Sequence, residues 1–170
     1  MEAEHDLSWP EIPLVARELL RRQWRMATAE SCTGGLVAAA CTELPGSSQW
    51  FDGGLVTYAT PWKLRLLGVP PETVESHGVV SLAVVEAMLA GLRSLHGVQA
   101  GVAVSGIAGP GGGLPGKPVG TVALGAFAGD RRQCLLLHFP GDRRQVRLAA
   151  ARRVLQLLLE QLDSPGDPAP

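Results

Sequence analysis

Trp24-Arg25-Met26-Ala27-Thr28-Ala29-Glu30-Ser31-Cys32-Thr33-Gly34-Gly35, running on into Leu36 to Leu44, is the stretch that decides the fold. Trp24 to Ala29 suits a short strand that stops at Glu30-Ser31-Cys32. Thr33-Gly34-Gly35 opens the next element, and the Ala-rich run Leu36 to Leu44 favours helix. A strand, a glycine turn and a helix make the unit from which α/β proteins are built. Working outward, strands and helices go on interleaving, with no internal repeat. Ile12, Leu14, Val15, Leu19 and Leu20 form a helical stripe before it, and Trp50 to Tyr58 reads as a strand after it. Pro61 suits the first turn of a short helix carrying Lys63, Leu66 and Leu67. Gly68 to Gly78, with two prolines, reads as loop. Ser81 caps a helix through Leu95, and Gln99 to Ser105 is a small-residue strand. Val119 to Phe127 and Cys134 to Phe139 form an antiparallel hairpin turning at Gly129-Asp130, and Asp142 to Leu162 is the last helix. The expected architecture is a three-layer α/β/α sandwich on a mixed, mostly parallel sheet with one antiparallel hairpin. Residues 1–10 and 163–170 are expected to be flexible, with a single domain over 11–162.

The composition excludes several classes. The chain has 170 residues, 46% apolar and 18% charged, which suffices for a packed core and rules out global disorder. A net charge of −1 offers no overall basic field for nucleic acid. Cys32, Cys41 and Cys134 have no framework spacing, and no histidine pair has metal-ligand spacing, so neither a disulfide scaffold nor a metal site is expected. With an acidic start and interrupted apolar runs, neither a signal peptide nor a membrane span is expected. These features point to a cytoplasmic protein that needs no cofactor.

Two conspicuous patterns carry little. Gly111 to Lys117 fits GxxxxGK, but Pro118 replaces the hydroxyl that would hold magnesium, and a strand follows where that motif needs a helix. Lys117 then reads as a solvated loop lysine. Cys32 lacks a nearby histidine to act as its base and reads as a small core filler.

Three segments are informative together. Ala29 to Gly35 puts hydroxyl residues and two glycines where a strand enters a helix. The free backbone N–H groups there can hold an anion, although Ser31 or Thr33 also suits plain helix capping. Val56-Thr57-Tyr58-Ala59-Thr60-Pro61-Trp62-Lys63 brings the only tyrosine close to one of only two lysines. Lys63, flanked by Trp62, Leu64 and Leu66, is either a surface lysine or a desolvated base. Val104-Ser105-Gly106-Ile107-Ala108-Gly109-Pro110 ends a strand in a glycine-walled loop. Such a loop forms either a tight connection or the ligand crevice of an open sheet.

The runs AESCTGG (29–35), GSSQWFDGGLVTYATPWKLRLLGV (46–69), SGIAGPGGG (105–113), KPVGTV (117–122) and GDRRQVR (141–147) resemble the CinA C-terminal domain family. The resemblance spans about Trp24 to Leu159, and the length suits the stand-alone form. It implies a nicotinamide-nucleotide amidase that converts nicotinamide mononucleotide to nicotinic acid mononucleotide and ammonia. It also implies Ser31 as nucleophile, Lys63 as base and Tyr58 as helper, with the N–H groups around Cys32, Thr33 and Gly34 stabilising the oxyanion. An oxyanion donor of this kind is worth about 3–4 kcal/mol in a known hydrolase. Substrate contacts are expected from Gly35, Thr60, Ser105, Gly106, Ile107, Ala108 and Gly109. Arg143 and Arg147 are expected to grip the phosphate. Relatives commonly carry Tyr-Ser-Asn where this chain has Tyr58-Ala59-Thr60, a change expected to affect substrate orientation or rate. A homo-oligomer, most simply a dimer, is implied as well. The competing reading is a non-catalytic binding or regulatory module of the competence and damage-inducible type. In that case Ser31 and Lys63 would be dispensable.

Overall fold

The computed structural model describes residues 9–163. Most of both terminal segments expected to be loose lies outside the described residues. Trp9 and Pro10, expected in that N-terminal segment, belong to the fold: Trp9 is buried, and its carbonyl accepts from Ile12 N–H at 3.0 Å. The chain runs through α1 (Glu11–Arg21), β1 (Met26–Glu30), α2 (Leu36–Glu43), a 3-10 turn (Ser47–Gln49) and β2 (Phe51–Val56). Three helices follow, α3 (Thr60–Leu67), α4 (Pro71–His77) and α5 (Leu82–His96). The rest is β3 (Ala100–Gly106), β4 (Thr121–Ala128), β5 (Arg131–His138) and α6 (Arg143–Asp163).

Helix α4 corrects the expectation of a loop at 68–78. Its two prolines mark a helix start. Pro71 occupies the first turn, where a missing N–H removes no helical hydrogen bond, and Glu72 beside it suits the positive end of the helix dipole.

The sheet order is β2-β1-β3-β4-β5. β1 pairs in parallel with β2 and β3, whereas β4 pairs antiparallel with β3 and β5. β4 alone therefore runs against the other four strands. The hairpin expected at Gly129-Asp130 is β4–β5.

Strand periodicity sorts the two core faces. Met26, Val102, Val104, Val122 and Leu124 pack with α1, α2 and α6 through residues such as Leu19, Val37 and Leu158. Ala27, Ala29, Ala103 and Phe127 face α3 and α5 through Leu67, Val85 and Leu89. The result is three layers. Small residues set the spacing on the second face. A Cβ on Gly91 of α5 would lie 1.8 Å from the Leu67 carbonyl oxygen, so α5 closes on the end of α3 only because no side chain intervenes.

β1 lies between β2 and β3, both parallel to it, and its outgoing connection goes to β2. The C-terminal ends of β1 and β3 therefore diverge at a switch point of the sheet, the usual place for a ligand crevice. Ser31 follows the end of β1, its N–H donating to the Val104 carbonyl of β3 at 2.9 Å.

Candidate active site

Consecutive strand residues point to opposite faces, and this separates Glu30 from Ser31. Glu30, 1% exposed, turns toward α2. Its carboxylate accepts from the N–H groups of Gly35 at 3.0 Å, Val37 at 3.1 Å and Ala38 at 2.9 Å, and from Thr28 Oγ1 at 3.3 Å. It does the capping that the sequence suggested for Ser31 or Thr33. Gly35 is the helix N-cap and has no side chain of its own to cap with. Gly34 and Gly35 have φ of 62° and 95°, values that favour glycine, and they bend the chain from strand into helix.

Ser31 is thereby left for the other face, where α3 delivers Lys63. Lys63 is 0% exposed, so it is not a surface lysine. Its Nζ lies 3.0 Å from Ser31 Oγ, 2.5 Å from the Thr57 carbonyl and 3.2 Å from the Tyr58 carbonyl. No salt bridge to it occurs among the described residues. Burial pushes its pKa down from 10.5 to about 8, only partly opposed by nearby Cys32. A neutral amine has two N–H groups and one lone pair. The two carbonyls take the N–H groups, which turns the lone pair toward the Ser31 hydroxyl.

Cys32 next door is buried, and desolvation raises its thiol to about 11, so it stays protonated at neutral pH. Its Sγ packs on Gly106, where an added Cβ would lie 2.9 Å from it.

A cavity of about 280 Å³ opens over the Ser31–Lys63 pair. Of the residues expected in the site, Ser31, Cys32, Tyr58, Thr60, Lys63, Ser105, Gly106, Ile107, Ala108, Gly109 and Arg143 line it. Val79, Val80, Gly111 and Gly112 line it as well. None of these four was among the expected site residues; Gly111 and Gly112 stood in the sequence only as part of a glycine run, and Val79 and Val80 were not singled out at all. The signal was Ser105, whose hydroxyl donates to the Val79 carbonyl at 2.8 Å and holds that segment as the cavity wall. Thr33, Gly34, Gly35 and Arg147 do not line it.

Three expected roles change. The Gly34 N–H donates to the Ser31 carbonyl at 3.0 Å and is not free for an oxyanion. Tyr58 is 57% exposed, and its hydroxyl accepts from Arg143 Nη2 at 2.8 Å; its tie to Lys63 runs through its backbone carbonyl. Arg147 grips protein rather than facing the cavity, donating to the Cys32 and Thr33 carbonyls at 3.0 Å each. Arg143 does reach the cavity mouth, with Nη1 on the Gly109 carbonyl at 2.7 Å. Lys117 donates to the His77 carbonyl at 2.9 Å in a turn that leads to β4, so no helix stands behind the glycine run. No helix among the described residues is long and apolar enough to cross a membrane.

The family model for the CinA C-terminal domain matches residues 12–162. The chain belongs to that family. A family member named nicotinamide-nucleotide amidohydrolase PncC, from Enterobacter agglomerans, is 48% identical over 149 residues, covering 86% of this chain and 90% of its own length. A CinA-like protein of Mycobacterium marinum is 47% identical over 150 residues, or 88% of this chain, which spans only 35% of that longer protein. The crystal structure of competence damage-inducible protein A from Klebsiella pneumoniae superposes with a TM-score of 0.88 at 38% identity, over 92% of this chain and 98% of that one. This CinA-family chain thus has the extent of the amidohydrolase relative and about a third of the longer one.

Proposed function

We propose that the chain is a nicotinamide-nucleotide amidase that hydrolyses the carboxamide of nicotinamide mononucleotide through a Ser31 acyl-enzyme. The observation that carries this is the buried Lys63 Nζ, 3.0 Å from Ser31 Oγ and without a carboxylate partner among the described residues. An amide needs an activated nucleophile, and a lysine that is partly neutral near pH 7 can supply the base. Neutral Lys63 takes the Ser31 proton as Oγ bonds to the amide carbon. The resulting ammonium gives a proton to the departing nitrogen, which leaves as ammonia. Water then attacks the ester with Lys63 again taking a proton, and returning it to Ser31 releases the carboxylate. The Cys32 N–H is the donor best placed for the oxyanion, because Cys32 lines the cavity and its N–H has no hydrogen-bond partner among the described residues.

Arg143 is the residue we assign to the substrate phosphate. Its guanidinium stands at the cavity mouth, where it can exchange the Tyr58 hydroxyl for phosphate oxygens. Arg143→Ala is expected to raise KM for nicotinamide mononucleotide by about 10- to 100-fold, the worth of a charged hydrogen bond, with kcat changed far less. Parallel assays on nicotinamide riboside, which lacks the phosphate, should show no comparable change.

The three free thiols fit a reducing, cytoplasmic setting. The homodimer is part of the same reading, since Trp62 and Leu66 expose apolar surface on α3. Sedimentation velocity tests it. The activity itself is tested by assaying ammonia and nicotinic acid mononucleotide from the mononucleotide, in a chelator, with Ser31→Ala in parallel. Turnover by the native chain that the variant loses is the expected result.

A further inference from the structure

We propose that Arg147 is a positioning residue for the oxyanion donor, the Cys32 N–H, and not a substrate ligand. The turn after Ser31 has few backbone groups free. Glu30 holds the Gly35 N–H, and Gly34 N–H donates to the Ser31 carbonyl. Leu36 N–H donates to the Thr33 carbonyl at 3.3 Å. Arg147 reaches across from α6 and takes the Cys32 carbonyl with Nε and the Thr33 carbonyl with Nη2, both at 3.0 Å. The N–H groups of Cys32 and Thr33 then have no hydrogen-bond partner among the described residues.

The Cys32 carbonyl and the Thr33 N–H belong to one planar trans peptide, so they point in opposite directions. Fixing the carbonyl with a guanidinium therefore aims the Thr33 N–H away from Arg147, but Thr33 does not line the cavity, so the effect on the oxyanion runs through Cys32. The same fork fixes the peptide unit that follows Cys32, which steadies the Cys32 N–H on the other side of that residue. Preorganisation of this kind acts where charge develops in the transition state and adds nothing to ground-state binding. The arrangement also explains Gly34: a Cβ there would lie 3.2 Å from Arg147 Nη2.

This inference rests on Ser31 as the amidase nucleophile, and the test separates the two. Native protein, Arg147→Gln and Arg147→Lys are assayed for ammonia release from nicotinamide mononucleotide, with thermal midpoints recorded to show that each variant is folded. For folded Arg147→Gln the expectation is a kcat about 10- to 100-fold lower with KM within about threefold, since loss of a whole oxyanion donor costs about 10²–10³. Arg147→Lys, which keeps the charge and one carbonyl contact, recovers part of kcat. A raised KM with kcat retained would make Arg147 a phosphate ligand and overturn the inference. Unchanged kinetics would overturn it too, as would a kcat loss that lysine does not relieve in a folded variant. Native protein without turnover would instead remove the amidase reading and this inference with it.

Discussion

Lys63→Met should lower ammonia release by about 10²–10⁴-fold, the usual contribution of a positioned general base. Methionine matches the lysine stem in size and apolar character, so the loss reports chemistry rather than packing. The native pH profile should carry the same signature. Only neutral Lys63 can take the Ser31 proton, so kcat/KM rises about tenfold per unit below the Lys63 pKa of about 8 and levels above it. Stability supplies an independent readout. The Lys63 pKa is lower in the folded chain than the 10.5 of a free lysine, so between about 8 and 10.5 the unfolded chain holds more protons at this site. Stability from Lys63 therefore rises with pH across that window and is absent below it. The amount is about 3 kcal/mol at most, at 1.36 kcal/mol per unit. Cys32, raised to about 11, acts in the opposite sense as the unfolded thiol ionises first. Subtracting the Lys63→Met profile isolates the lysine. A difference in thermal midpoint that grows from pH 8 to 10 in favour of the native protein is expected.

Glu30→Ala should be among the most destabilising single changes in the chain. Four donors lose their acceptor at once, three of them backbone N–H groups at the start of α2, around a carboxylate that is 1% exposed. Unsatisfied buried donors cost about 1–3 kcal/mol each, and water reaches the more exposed of these, so a loss of about 3–5 kcal/mol is expected. Urea denaturation should show a lower midpoint with little change in slope. Glu30→Gln keeps the shape but places an amide NH₂ among N–H donors, and should recover only part of that loss. Both variants should also lower kcat, because the segment they loosen is the turn that orients Ser31.

Most of the strand and helix pattern was legible because the core follows simple periodicities. α6 buries Val146, Ala150, Val154 and Leu157 on one stripe, and β3 is apolar on both faces because both are covered. α4 was not legible, since a proline marks a break in one context and a first turn in another. In the site, residue types and segments were readable but hydrogen-bond partners were not. Nothing in the chemistry of Arg147 distinguishes a phosphate ligand from a clamp on carbonyls more than a hundred residues away. The family resemblance implies Tyr58 as the helper of Lys63. Yet α3 begins at Thr60 and turns Lys63 inward while the phenol remains outside against Arg143. The capping ambiguity at Ser31 and Thr33 is resolved by strand parity, which sends Glu30 to α2 and Ser31 to α3. Against the binding-module reading stands the burial of Lys63 with no carboxylate partner among the described residues, which suits a general base and gives a passive module only a cost.

The most direct test of the central claim is to follow turnover of nicotinamide mononucleotide with hydroxylamine present, comparing the native protein with Ser31→Ala. A nicotinoyl ester on Ser31 is open to attack by hydroxylamine, which takes the acyl group as a hydroxamate and restores the serine hydroxyl. The native protein should form the hydroxamate alongside nicotinic acid mononucleotide, with one ammonia released per acyl group, and Ser31→Ala should form neither product. Ammonia release without hydroxamate, or turnover that persists in Ser31→Ala, would contradict the account, because water would then be attacking the amide without Ser31.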